Sequence, residues 1–157
     1  MAVSGLNRLM RRFEQLPKET QADVKDIIEE ETLAIQREAI QNAPAAGDSL
    51  STTYGTQKIN TGINQFIGAS ISPTGLSGEV FIEASASELA AFIEFGTGVS
   101  AANYVPTLDP EFQAIAQKYY KNGKGTLIKH PFLLPAWFKH EPTVVPKIKK
   151  ALENIKL

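Results

Sequence analysis

The stretch IGASISPTGLSGEVFIEA, residues 67–84, decides the fold because it has the pattern of a β-hairpin. Apolar side chains alternate with small or polar ones on both sides of a Pro-Thr-Gly turn at 73–75, and this period of two is typical of strands with one buried face. A two-stranded hairpin is marginally stable in water by itself. Helices must cover it or further strands must join it, which predicts an α+β fold.

Helical patterns precede this hairpin. Residues 1–17 are expected to contain a short amphipathic helix. Its polar side carries three arginines: Arg8, Arg11 and Arg12. A longer helix should follow to about Asn42, with a second apolar face at Leu33 and Ile40 on the reverse of its main stripe. Such a helix needs two partners, and we expect them to be the short helix and a neighbouring copy.

Further helical signals follow the hairpin. Asp109-Pro110-Glu111 predicts a helix start, since it combines a capping residue, a first-position proline and a first-turn acid. The last helix is expected to begin at Thr143, which places Pro146 in the first turn, where proline is tolerated. The prediction is a small antiparallel sheet packed against a long N-terminal helix and a C-terminal helix, in a single domain of residues 1–157.

Residues 43–62 are rich in alanine, glycine, serine and threonine, and Leu50 and Tyr54 are their only large apolar side chains apart from Ile59. Long segments without regular structure are usually functional or disordered. We therefore expect a long mobile loop that orders when it binds a partner.

Composition limits the possible functions. The chain has 16 Lys plus Arg against 17 Asp plus Glu, a net charge of −1, so no overall field attracts DNA or an anionic membrane. Cysteine is absent, which removes disulfides and thiolate metal sites. No apolar run approaches the length of a membrane span, so we expect no membrane contact.

Residues that could support catalysis do not form a known pattern. His130 and His140 are separated by ten positions and have no recognised zinc spacing. Gly96-Thr97-Gly98 lacks the glycine and lysine pattern of a phosphate-binding loop. We expect no catalytic, cofactor or metal site.

Glu94 stands between large apolar residues and is followed by a glycine-rich turn. It is either a solvated acid at a helix end or a carboxylate that locks the turn by accepting backbone N–H groups or a partner's cation. The apolar segment from Pro131 to Phe138 should be mostly core, with one or two residues in a subunit contact. The residues expected at a subunit or partner interface are Leu33, Ile40, Leu50, Tyr54, Glu94, Thr97, Phe132 and Trp137.

Three segments together carry a family resemblance: Ala-Pro at 43–44, AAFIEFGTG at 90–98 and PFLLPA at 131–136. In this order and spacing they resemble the head-to-tail joining or tail-completion proteins of long-tailed bacteriophages, from about Gln36 to Leu157. The loop departs from the family pattern in having PAAGDSL at 44–50. Residues 100–129 look like an inserted segment that contains a helix.

The resemblance implies a structural virion protein of a phage or prophage, located in the tail or neck and present in the host cytoplasm during assembly. It would form a homo-oligomeric ring, sixfold or twelvefold. The ring would contact the connector or stopper and the tail tube or tail terminator, and DNA could pass through it. The alternative is a small DNA-contacting module that uses Arg8, Arg11 and Arg12.

Overall fold

The computed structural model describes residues 2–119 and 123–155. Within these ranges the helices are α1 Ala2–Glu14, α2 Lys18–Asn42, α3 Ser87–Phe95, α4 Gly98–Tyr104, α5 Pro110–Tyr119 and α6 Leu133–Glu153. The strands are β1 Ser49–Thr52, β2 Gly55–Lys58, β3 Ile67–Ile71 and β4 Gly78–Ile82. Short 3-10 turns occur at Ile63–Phe66, Ala84–Ala86 and Val105–Thr107.

The hairpin predicted at 67–84 is present as β3 and β4. The two strands are antiparallel, with Ile67 opposite Ile82 and Ile71 opposite Gly78. They form a sheet of two strands, separate from the sheet of β1 and β2.

Helix α2 organises the fold because it packs along α6 and also against the β3–β4 hairpin. Gln36 on α2 donates a side-chain hydrogen bond to the carbonyl oxygen of Ile67, at 3.1 Å. A Cβ on Gly78 would overlap the side chain of Thr32, so the hairpin backbone lies directly on the helix. The predicted α+β class, with a small antiparallel set of strands against two long helices, is confirmed.

The buried residues form two clusters. The larger joins α2, the strands, α3 and the start of α6, and its largest fully buried side chains are Phe132, Ile63 and Ile93. The smaller joins α3, α5 and α6 through Ala91, Phe95, Ala116 and Leu134. Both clusters contain residues of α3 and of the first turn of α6, so these two segments connect the core.

The expected irregular loop at 43–62 is wrong over residues 49–58, which form the β1–β2 hairpin. Leu50 is buried in the larger cluster, whereas every residue of β2 is exposed. An exposed strand has no buried face and hence no alternating apolar pattern, so the sequence contained no signal for it.

The predicted start of the last helix is also wrong, because α6 begins ten residues before Thr143 and includes Pro135, Pro142 and Pro146. Proline removes one helical hydrogen bond and is costly inside a helix, which was the reason for the later start. Pro135 lies in the first turn, where no helical carbonyl needs its N–H. Pro142 and Pro146 are exposed, so water can reach the carbonyl groups that they leave without a helical donor.

The long helix was predicted to end at about Asn42 and does so, and the helix predicted at Asp109-Pro110 is present as α5. The segment 100–129 also contains most of α4, which the sequence analysis did not identify. None of the helices in the described ranges combines the length and the apolar character needed to cross a bilayer.

Candidate functional site

Glu94 lies in the last turn of α3 and is 4% exposed. Its carboxylate accepts backbone N–H groups from Phe132 at 2.8 Å, Leu133 at 2.9 Å and Leu134 at 3.0 Å. The carboxylate therefore caps the start of α6. Of the two interpretations left open by the sequence, acceptance of backbone N–H groups is the one observed, but the donors belong to α6.

The first turn of α6 explains why a single carboxylate suffices. A helix leaves its first four N–H groups without partners, and here they would belong to residues 132–135. Three donate to Glu94, and the fourth residue is Pro135, which has no N–H. Because the N-terminus also carries the positive end of the helix dipole, a negative charge is favoured there.

The ionisation of Glu94 is subject to opposing effects. Burial raises its pKa above the ordinary glutamate value, and the three backbone N–H bonds oppose this by favouring the charged form. Both carboxylate oxygens are occupied by helix donors. The side chain is placed to hold two segments together rather than to exchange a proton with a ligand.

The turn after α3 holds the segment that leads into α6. Thr97 donates its N–H to the carbonyl oxygen of Leu127 at 2.9 Å, and its hydroxyl oxygen accepts the N–H of Leu127 at 2.9 Å. His130 then donates its N–H to the carbonyl oxygen of Ile93 at 2.7 Å. Residues 126–131, called here the strap, are thus fixed along α3 by backbone bonds.

The strap also contacts α4 and the β1–β2 hairpin. The N–H of Lys129 donates to the hydroxyl of Ser100 at 2.9 Å, and its ammonium nitrogen lies 4.0 Å above the ring centroid of Tyr104. Ile128 donates its N–H to the carbonyl oxygen of Ser51 at 2.9 Å. The motif segments 90–98 and 131–136 therefore form one continuous packed unit with the hairpin beside it.

A second polar cluster connects α2 with α6 around Glu31 of α2. This buried carboxylate pairs with Lys147, accepts a hydrogen bond from the hydroxyl of Thr143 at 3.1 Å, and lies 3.4 Å from Nδ1 of His140. The other ring nitrogen of His140, Nε2, lies 2.9 Å from Glu38.

Glu31 is held in its charged form by these contacts. Burial raises its pKa, but the hydrogen bonds from Lys147, Thr143 and His140 and the charge of Lys147 outweigh burial, so the net shift is downward. Residues 140, 143 and 147 lie on one helix face. The predicted start at Thr143 left His140 outside the helix, so this shared face was not visible in the sequence.

The structure separates the expected interface residues into three groups, which are buried, partly buried and exposed. Leu50, Glu94 and Phe132 are buried within the chain, where their contacts are internal. Leu33, Ile40 and Thr97 are partly buried, and Ile40 packs against the larger core cluster. Tyr54 is 88% exposed and Trp137 is 42% exposed. Both aromatic side chains are therefore accessible from solvent.

The arginines expected to face DNA lie on α1, and all three are exposed. Within the described residues, ion pairs form between α2 and α6 and none involves Arg8, Arg11 or Arg12. Across residues 2–119 and 123–155, no three side chains of the His, Cys, Asp and Glu types are grouped as metal ligands.

Comparison with protein-family models, curated proteins and solved structures found no match for this chain.

Proposed function

We propose that the chain is a structural subunit of a tailed phage or prophage virion that forms a ring at the neck or the top of the tail and joins tail to head. Its role is not enzymatic. One observation carries the proposal: the two motif segments that resemble tail-completion proteins meet through the Glu94 carboxylate, which caps α6. In this arrangement the motif residues maintain the shape of a subunit.

The partner-contacting residues of such a subunit must be on its surface. Tyr54 is located at the turn between β1 and β2, and Trp137 is on the outer side of α6. Tyrosine and tryptophan are over-represented among residues that dominate binding energy. We infer that these two side chains contact a neighbouring copy, the connector or stopper, or the tail tube or tail terminator.

Disruption of the gene in the strain that produces the particle tests this role. The expected result is filled heads and separate tails by electron microscopy, with joining restored by the purified wild-type protein. Normal infectious particles from the disrupted strain would refute the proposal.

Surface variants test whether the two exposed aromatic side chains are needed for joining. Tyr54→Ser and Trp137→Ser should fold normally but restore joining poorly, because exposed aromatic groups are removed without opening a core cavity. Val99→Ser is the matched control, since Val99 is 71% exposed on α4 and is outside the inferred contacts. Full activity of both aromatic variants would exclude these side chains from the interface.

A DNA-contacting module is the second candidate, and the exposed, unpaired arginines of α1 favour it within the described chain. Three phosphate contacts per copy predict that log affinity for duplex DNA falls with log salt with a slope of about −3. Replacing Arg8, Arg11 and Arg12 by glutamine should remove this dependence. Binding unchanged by the triple substitution would exclude the arginine face.

A further inference from the structure

The face of α6 opposite α2 carries a stripe of apolar side chains that the chain leaves partly open. His140, Thr143 and Lys147 mark the side that contacts α2. At 100° per residue, Val145 points about 140° away from His140 and about 160° away from Thr143 and Lys147. The open residues, called here the α6 stripe, are Trp137, Phe138, Val145, Ile148 and Leu152.

The α6 stripe has the seven-residue spacing of helices that pair side by side. Phe138, Val145 and Leu152 are seven apart and are 46%, 57% and 37% exposed. Apolar groups at this spacing supply one of the two heptad positions through which helices pair, and Ile148 supplies the other between Val145 and Leu152. Phe138 also packs edge-to-face against Phe112 of α5, with ring centroids 5.6 Å apart, so one end of the stripe contacts α5.

Two unpaired charges stand symmetrically about the centre of the stripe. Glu141 precedes Val145 by four residues and Lys149 follows it by four, so at 1.5 Å per residue each is about 6 Å from Val145 along the axis. Both side chains are exposed. Neither belongs to an ion pair formed by residues that the structure describes.

We propose that two copies of this chain pair through the α6 stripe, with the helices antiparallel and a two-fold axis beside Val145. Such an interface uses the same surface on both copies. It brings Glu141 to the level of the partner subunit's Lys149, and Lys149 to the level of the partner subunit's Glu141. Phe138 then lies at the level of the partner subunit's Leu152.

The order of the two charges along α6 favours an antiparallel arrangement of the paired helices and a second copy of this chain as the partner. A parallel pair would place Glu141 beside the same glutamate and Lys149 beside the same lysine, and like charges in contact oppose association. The antiparallel pair forms two opposite-charge contacts and buries the apolar groups between them. A second copy of this chain therefore matches both the apolar seam and the charges.

This dimer does not depend on the proposed role in the virion. It is a property of the free protein and is measured without phage particles, so its failure and the failure of tail joining are distinguishable.

Sedimentation equilibrium of the full chain and of charge-reversal variants tests the pairing. Wild-type protein should form dimers at about 100 µM or below. Glu141→Lys and Lys149→Glu should each raise the dissociation constant about tenfold or more, because each places two like-charge contacts in the dimer. The double variant regains both opposite-charge contacts and should return to within about threefold of wild type.

A central substitution provides an independent check. Val145→Lys should abolish dimerisation, since it places two lysines at the two-fold axis, whereas Val99→Lys, at an exposed valine on α4, should leave it unchanged. Circular dichroism verifies that each variant is folded. A monomeric wild type at about 100 µM, or dimerisation that neither single reversal weakens, would overturn the proposal.

Discussion

At the scale of single residues, the most consequential side chain is Glu94, because its carboxylate joins α3 to a helix start 38 positions later. It is buried, yet its charge has three N–H donors and the positive end of a helix dipole to stabilise it. Hydrogen bonds to charged groups are stronger than those between neutral groups. The side chain of Glu94 therefore holds α3 and the start of α6 together.

Removal of the Glu94 carboxylate should destabilise the whole chain. Glu94→Ala leaves three N–H groups at the α6 start without acceptors, two of them on buried residues, and should reduce the free energy of unfolding by roughly 3 kcal/mol. Glu94→Gln should also be destabilising, because its amide NH₂ faces other donors. Urea unfolding measures both changes, with the exposed Glu79→Gln on β4 as a control expected within about 0.5 kcal/mol of wild type. Near-wild-type stability of Glu94→Ala would disprove the capping role.

The Glu31 cluster predicts a pH dependence of stability. The contacts of Glu31 hold the pKa of its carboxyl in the folded chain below the ordinary value of a glutamate. The unfolded state therefore takes up a proton at a higher pH than the folded state does, so the stabilisation by Glu31 is complete above the unfolded pKa and is lost as pH falls through the folded pKa.

Glu31→Gln isolates this contribution. At pH 7 it should reduce the free energy of unfolding by about 1 kcal/mol, since Lys147 is partly exposed and its pairing is weakened by solvent. The difference from wild type should shrink as pH falls below the ordinary pKa of glutamate and through the lower pKa of Glu31 in the folded chain. Urea unfolding between neutral and strongly acidic pH measures it, and a difference that is constant with pH would contradict this assignment.

At the scale of secondary structure, the elements predicted correctly had local signals. The apolar alternation of 67–84, the long stripe of α2 and the Asp109-Pro110 start each determine an element within a few residues. The start of α6 had no such signal. It depends on a carboxylate from α3, and contacts between distant positions are not visible in local periodicity.

The junction between the α3 turn and the strap depends on Gly98, whose φ is +55°. A Cβ there would run into the carbonyl oxygen of Gly125. Gly98→Ala should therefore reduce the free energy of unfolding by about 2 to 3 kcal/mol. This loss is larger than the backbone strain alone would cause. Gly47→Ala is the matched control: its φ is +90°, but no atom lies within 4 Å of the added Cβ, so we expect a loss of about 1 kcal/mol. Thermal unfolding would contradict this account if the two variants were equally stable.

The β1–β2 hairpin should be folded in the free protein. Ile59 donates its N–H to Asp48 at 3.0 Å, and Gly47 donates to Ile59 at 2.8 Å, while Leu50 anchors the hairpin in the core. Hydrogen exchange should show these two amides protected without any partner. The amide of Asn60 has no acceptor in the described part of the chain and serves as the fast-exchanging control. Exchange of Ile59 as rapid as that of Asn60 would restore the interpretation of a mobile loop.

At the scale of the whole molecule, two carboxylates are buried in polar contacts between helices, whereas several aromatic and apolar side chains are exposed on the surface. The Glu94 cap and the Glu31 cluster hold α6 from two directions, at its first turn and along its middle. Tyr54 and the α6 stripe remain available on the surface. The sequence identified Tyr54 and Trp137 as interface candidates but not the rest of the α6 stripe, because which apolar residues the core covers depends on packing between distant segments.

Our central proposal is that this chain is part of the junction between head and tail. Cryo-electron microscopy of particles carrying a tagged copy, labelled with an electron-dense probe, measures its position most directly. We expect label only at the neck or the top of the tail, as a ring of symmetry-related copies. Label within the capsid interior, or assembled particles without label, would contradict it.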